Sequence, residues 1–300
     1  MKAFSFSTKT GEIRIGVKTE AGSFNFTHAW EMFKQIKAAG KGPDFHFLQM
    51  MIELDFFSTE TVQQVLGGLK EYRTLDDLKL EDDVRFEVPI ARPQKILCIG
   101  KNYKKHAEEF GSKVPEEPMF FSKVPSALLA HEWEIVIPSG IGRVDHELEL
   151  AVIIGKSGKY ISAAKAMEYV AAYTVVNDVT ARDMQGKDTK SGKPWVRSKG
   201  FDTFCPMGPY VIPKDDIDDV YSLNMELRVN GEVRQKATLA DMIYKIPTLI
   251  EFLSRHMTLN PGDIICTGTP EGVSPIKPGD VIEAEIDRIG ILRNTVIAEN

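Results

Sequence analysis

Three hundred residues with 43% hydrophobic and 27% charged side chains are enough for one large core or two domains, and they exclude a disordered chain. With 37 basic against 43 acidic side chains the formal net charge is -6, so no nucleic acid or other polyanion is expected as a partner. Met1 to Lys9 lacks the apolar stretch of a secretion signal, and no window nears the roughly 18 apolar residues of a membrane span, which predicts a cytoplasmic protein with no membrane partner.

In chain order, Thr10-Gly11 punctuates two β-prone runs, the second being Glu12 to Val17. A helix is predicted from near His28 to the glycines of Gly40-Lys41-Gly42-Pro43, and a second behind Ser58, a suitable N-cap, with Val62, Val65, Leu66 and Leu69 at helical spacing. The prolines of Val88-Pro89-Ile90-Ala91-Arg92-Pro93 force extended backbone, which places a boundary between a small domain over 1–90 and a larger one over 91–300. Beyond it the chain turns strand-rich. Strands are predicted over Lys95 to Ile99, Ile135 to Ile137, Glu147 to Ile154, Ala172 to Asn177 and Met225 to Val229, the last followed by an Asn230-Gly231 hairpin signal. Helices are predicted over Tyr103 to Phe110, Ala163 to Tyr169 and from about Leu239 onward, the last interrupted at Pro247.

Pro-Gly-Asp followed by an apolar pair occurs at Pro261 and at Pro278, and each reads as a type II turn launching a strand. Many short strands with scattered helices predict an α+β, mainly β, architecture rather than a wound parallel sheet. Nucleotide signatures fail accordingly: Gly140-Ile141-Gly142 lacks the third glycine, and Gly186 to Lys193 has the wrong spacing for a phosphate loop. Cys98, Cys205 and Cys266 are far apart in sequence with no Cys-x-x-Cys pair, which suits unpaired core thiols.

The most informative stretch is Arg143-Val144-Asp145-His146-Glu147-Leu148-Glu149-Leu150. On a strand, Glu147 and Glu149 share a face, and two parallel carboxylates repel unless a cation joins them. A further apolar strand ends on an acid at Val175-Val176-Asn177-Asp178, where Asp178 is either a site residue or the cap of the helix that follows. Three carboxylates without cysteine suit a hard ion, Mg2+ before Mn2+ or Ca2+, while His146 projects to the opposite face. In Lys101-Asn102-Tyr103-Lys104-Lys105-His106-Ala107-Glu108-Glu109, His106 and Glu109 are three apart on a helix, the spacing of a general base held by a carboxylate, or of a surface pair.

These residues resemble the fumarylacetoacetate hydrolase superfamily, in its short acylpyruvase-like branch, from about Lys95 to Asn300. The resemblance is carried by Ile99-Gly100-Lys101-Asn102-Tyr103 with His106, by His146-Glu147-Leu148-Glu149-Leu150, and by Asn177-Asp178-Val179-Thr180-Ala181-Arg182-Asp183 with Gln185. Lys199 before Cys205-Pro206-Met207-Gly208-Pro209, Val229-Asn230-Gly231-Glu232, and Gly262-Asp263-Ile264-Ile265 with Thr267-Gly268-Thr269-Pro270 complete it. It implies a β-roll catalytic domain, usually homodimeric, with a divalent ion on Glu147, Glu149 and Asp178. It also implies a lid helix carrying His106 and Glu109, and substrate contacts from Arg182, Gln185, Lys199 and Thr269. Fumarylacetoacetase proper has a further carboxylate ligand upstream of the histidine; Gly100-Lys101-Asn102 offers none, which points away from fumarylacetoacetate itself.

The expected substrate is a small anionic 2-oxo acid, such as a 3-acylpyruvate, whose C3–C4 bond is hydrolysed through an enolate stabilised by the ion. His106 and Glu109 would activate water, with Lys199 as charge stabiliser and Arg182, Gln185 and Thr269 as substrate contacts. The same enolate serves decarboxylation of oxaloacetate and isomerisation of 2-oxo-dienoates, and a non-catalytic metal-containing scaffold is the alternative of another class. The Gly- and Lys-rich stretch Lys187 to Trp195 reads as a mobile lid.

Overall fold

The computed structural model describes residues 1–36, 42–72, 74–81, 84–109, 111 and 114–299. Apolar residues alternating over short runs give β1 (Lys2–Ser7), β2 (Ile13–Thr19) and β3 (Gly22–Asn25), followed by α1 (Phe26–Ile36), α2 (Leu48–Glu53), α3 (Thr59–Glu71) and β4 (Arg85–Glu87). These strands form one sheet in the order β3-β2-β1-β4. Ser58 caps α3 as expected: its Oγ accepts the Thr61 N–H at 3.1 Å, and Val62, Val65, Leu66 and Leu69 are buried. The expected helix ends at Gly40-Lys41 and at Phe110 lie outside the described residues.

The chain continues through β5 (Ile96–Gly100), α4 (Lys104–Glu109), β6 (Met119–Lys123), β7 (Leu128–Leu129), β8 (Glu134–Ile137), β9 (Val144–Asp145), β10 (Leu148–Ile154) and β11 (Val170–Asn177). Then come β12 (Thr180–Ala181), α5 (Arg182–Lys190), α6 (Val196–Lys199), β13 (Cys205–Pro206), β14 (Ile212–Pro213), β15 (Asn224–Val229) and β16 (Glu232–Thr238). The last elements are α7 (Ile246–His256), β17 (Ile264–Cys266), β18 (Val281–Ile286) and β19 (Gly290–Ala298). A six-stranded sheet, β14-β11-β10-β17-β5-β6, lies at the centre, and a five-stranded sheet, β16-β15-β18-β19-β8, packs on one of its faces. The architecture is α+β and strand-rich.

Both faces of the central sheet are covered, so β10 is buried along its whole length. Leu148, Leu150 and Val152 point into the core shared with the five-stranded sheet, whereas Ala151 and Ile153 join Cys98, Val176 and Cys266 in a second core reaching the N-terminal elements. Glu149 has the parity of Ala151, so it lies on that second face, at the end of the sheet where Asp178 follows β11.

Two expectations are corrected. Pro247 interrupts nothing: the chain makes a short 3-10 turn at Leu239–Asp241 and only then starts α7, with Pro247 in its first turn, where no intrahelical N–H is needed. Asp178 caps no helix: α5 begins at Arg182, behind Ala181, which makes no side-chain cap. Of the stretch expected to form a lid, Lys187 to Lys190 complete α5 and Trp195 stands at the N-terminus of α6. Both Pro-Gly-Asp segments do turn into strands, with Gly262 and Gly279 at φ +83° and +95° as a type II turn requires.

Candidate active site

β10 and β11 pair antiparallel with Leu148 opposite Asn177, so the residues just outside this pair, Glu147 and Asp178, fall side by side with Glu149. The Asn177 side-chain oxygen accepts the Glu147 N–H at 2.8 Å and the Asp178 N–H bonds the Glu147 carbonyl at 2.8 Å, which fixes the two acids relative to each other. Glu147, Glu149 and Asp178 are all buried, and each offers an oxygen within 4.8 Å of the others.

Cations answer two of the three. Lys199, delivered by α6, donates to Glu147 Oε2 at 2.9 Å and to Asp178 Oδ2 at 2.6 Å, and Lys123 at the end of β6 donates to Asp178 Oδ1 at 2.6 Å and to the Val179 carbonyl at 3.0 Å. Arg182 bonds Glu147, Asp145 Oδ2 at 2.7 Å and Gln185 Oε1 at 2.6 Å. Burial alone would raise the Glu147 pKa, but Lys199 and Arg182 hold it well below the carboxylate range; burial would lower Lys199, but Asp178 and Glu147 raise it. Glu149 receives a backbone N–H, from Gly268 at 2.7 Å, and no cation among the described ion pairs. Burial and the charges of Asp178 and Glu147 push its carboxyl well above its ordinary value. A buried acid left uncompensated beside two others fits a hard divalent cation, whose charge would answer it.

His106 on α4 is buried and lines the same cavity, of about 310 Å³, as the three acids, Arg182, Gln185, Lys199 and Thr269. Its Nδ1 lies 3.5 Å from Glu109 Oε2, longer than an ordinary hydrogen bond, so a small approach of the carboxylate completes the pair. Glu109 is in turn within 3.3 Å of the Gly272 N–H. Gly272, at φ +92°, cannot be replaced without strain, since a Cβ there would meet the Arg234 carbonyl oxygen at 2.0 Å. Burial depresses the His106 pKa, with the Glu147 charge opposing it, which favours the neutral, basic imidazole. His146 lies away from the acids, with Nδ1 3.1 Å from Gln235 Oε1 and Nε2 2.9 Å from Ser274 Oγ.

All nine residues expected from the sequence thus meet, eight of them lining the cavity and Glu109 behind His106. Arg182 spends its described bonds on protein groups, clamping Glu147, and Thr269 accepts from Gln235 Nε2 at 2.8 Å. Lys123 and Asp145 were not expected. Lys123 reads in the sequence as a polar strand end; the signal that could have found it is its parity with Phe121 in an otherwise apolar run. Replacing Lys123 with Met leaves Asp178 short of one buried partner and the Val179 carbonyl without this donor. A loss of about 3 to 5 kcal/mol in urea unfolding is the expected outcome, and an unchanged midpoint would contradict it.

A sheet-end set of buried carboxylates close enough to hold a metal ion, with a buried lysine and a histidine–glutamate pair beside it, is the kind of constellation that small-molecule enzyme sites use. The fumarylacetoacetate (FAA) hydrolase C-terminal family model matches residues 95–297, and the chain belongs to this family. It is 45% identical over 222 residues to the mitochondrial oxaloacetate tautomerase FAHD2A of Bos taurus, covering 72% of this chain and 70% of that one. Among solved structures it resembles fumarylacetoacetate hydrolase from Exiguobacterium antarcticum, with 32% identity, full coverage of both chains and a TM-score of 0.80. It also resembles fumarylpyruvate hydrolase from Pseudomonas aeruginosa in complex with Mn2+ and pyruvate, with 34% identity, 73% and 93% coverage and a TM-score of 0.67. No described helix is long and apolar enough to cross a membrane.

Proposed function

We propose that this chain is a Mg2+- or Mn2+-dependent enzyme that moves a proton at C3 of a small 2-oxo acid, interconverting the keto and enol forms of an oxaloacetate-type dicarboxylate. The observation that carries the reading is His106, the one imidazole among the described residues lining the cavity, beside buried carboxylates of which Glu149 has no cation among the described ion pairs. Glu147, Glu149 and Asp178 would hold the divalent ion, which would supply Lewis acidity to the 2-oxo group. His106 takes the C3 proton, the C–H electron pair becomes the enolate, and the imidazolium returns that proton to the 2-oxygen to give the enol. Lys199, kept protonated by Asp178 and Glu147, stabilises that negative charge, and Gln185 and Thr269 orient the substrate. Arg182 acts through Glu147, whose position it holds.

The tautomerase name of the 45% identical relative supports this reaction. Glu109 beside His106 favours a second one, since a carboxylate-held imidazole also suits water activation. In that case His106 deprotonates a water that attacks C4 of a 3-acylpyruvate; the C3–C4 bond then breaks, the acyl group leaves as a carboxylic acid, and the pyruvate enolate takes the proton from the imidazolium at C3. One panel tests both: decay of enol-oxaloacetate, and cleavage of acetylpyruvate and fumarylpyruvate, each with Mg2+ and with Mn2+. Accelerated enol decay supports the first reading, cleavage without it supports the second, and turnover of none sinks both.

A further inference from the structure

The geometry points to Trp195 as the residue that sets the chain length of the 2-oxo acid this site accepts, an inference that rests on the proposed 2-oxo acid chemistry. The cavity of about 310 Å³ that holds the acids has a neighbour of about 610 Å³ along the edge strand β6, and the two share only Phe121 and Trp195 among their lining residues. The second space is lined largely by apolar side chains, including Leu97, Phe120, Val124, Pro194 and Met257. The partition between them is therefore a pair of aromatic rings, in edge contact at 5.3 Å between centroids.

The two rings are not equivalent. Phe121 belongs to β6 and lies under the Lys199 ammonium, 4.9 Å from its ring centroid, so changing it disturbs the proposed charge stabiliser. The Trp195 ring is half-buried and is fixed through one hydrogen bond, from its Nε1 to Thr189 Oγ1 at 2.8 Å. The Trp195 backbone does separate work: its carbonyl accepts the Ser198 and Lys199 N–H groups at 3.0 Å each and the Ser198 hydroxyl at 2.9 Å, which starts α6 and positions Lys199. Losing the indole leaves those bonds available, so the lysine stays placed while the wall opens. With the wall in place, an acid held at Lys199, Gln185 and Thr269 has space for a short substituent; without it, a longer alkyl tail reaches the apolar space beyond.

The test is calorimetric binding of pyruvate, 2-oxohexanoate and 2-oxooctanoate to the Mg2+-loaded wild type, Trp195→Ala and Thr189→Val proteins. In the wild type, affinity should fall along the series. In Trp195→Ala the ratio of 2-oxooctanoate to pyruvate affinity should rise about tenfold or more over the wild type, the scale of discrimination an apolar pocket exerts. Thr189→Val, which frees the indole without removing it, should move in the same direction by less. Unchanged ratios in both variants, with pyruvate still bound, overturn the role of Trp195 and leave the 2-oxo acid reading standing. Failure of pyruvate to bind any of the three proteins overturns both.

Discussion

His106→Ala should lower kcat/KM by about 10² to 10⁴, the usual contribution of a positioned general base, while Mg2+ still raises the thermal midpoint as in the wild type. The separation of effects follows from position: the imidazole comes from α4, whereas the three carboxylates come from β10 and from the residues beside β10 and β11. Glu109→Gln should cost less, since the imidazole remains and only its held orientation is lost. The pH profile gives the finer check. Burial keeps the His106 pKa below the ordinary value of about 6.5, so the neutral form prevails at pH 7 and kcat/KM should stay level through neutral pH. Activity falls as pH drops through the folded-state pKa and the imidazole charges. Glu109 is among the charges that raise that pKa, so Glu109→Gln should move the acid limb to lower pH. A structural role for Glu109 would lower the rate without moving the limb. Full activity in His106→Ala would remove the base from the mechanism.

What sequence could reveal of this site follows the range of each interaction. Glu147 and Glu149 share a face because strand parity is local, and His106 meets Glu109 because three residues is one helical turn. Asp178 was placed as an acid ending a buried strand, but its alternative as a helix cap fell only once α5 was seen to begin at Arg182, with Lys123 and Lys199 on the Asp178 carboxylate instead. The Arg182 clamp was not legible, since it depends on the two-residue strands β9 and β12 pairing Thr180 with Asp145 across 35 positions. Such strands are too short to carry a period. Likewise Cys98 and Cys266, 168 positions apart, stand opposite each other because β5 and β17 pair in parallel, a non-local pairing that no local pattern announces. Pro247 misled for the opposite reason: a helix breaker in the interior is tolerated in the first turn, and the apolar spacing from Leu239 onward hid where that turn lies.

Glu149→Gln should abolish the Mg2+-dependent rise in thermal midpoint and weaken metal binding by more than the about 10- to 100-fold that loss of an outer partner costs. It should do so without unfolding the protein. The glutamine oxygen can still accept the Gly268 N–H, and a neutral amide resembles the protonated acid that burial, Asp178 and Glu147 favour when no ion is bound. The sign with pH is fixed by the same shift. A group whose folded pKa is raised contributes stability that is fully present below its unfolded value and is lost as pH rises through the folded one. The metal-free wild type should therefore lose stability toward alkaline pH through Glu149, and Glu149→Gln should lose less. Binding the ion requires the ionised carboxylate, so metal uptake releases a proton and its stabilisation grows with pH. Calorimetric titrations with Mn2+ in two buffers of different ionisation enthalpy measure that proton. Release in the wild type but not from any residual binding in the variant assigns it to Glu149. Equal release in both would place the proton elsewhere, with Lys199, bridging Glu147 and Asp178, the next group to examine.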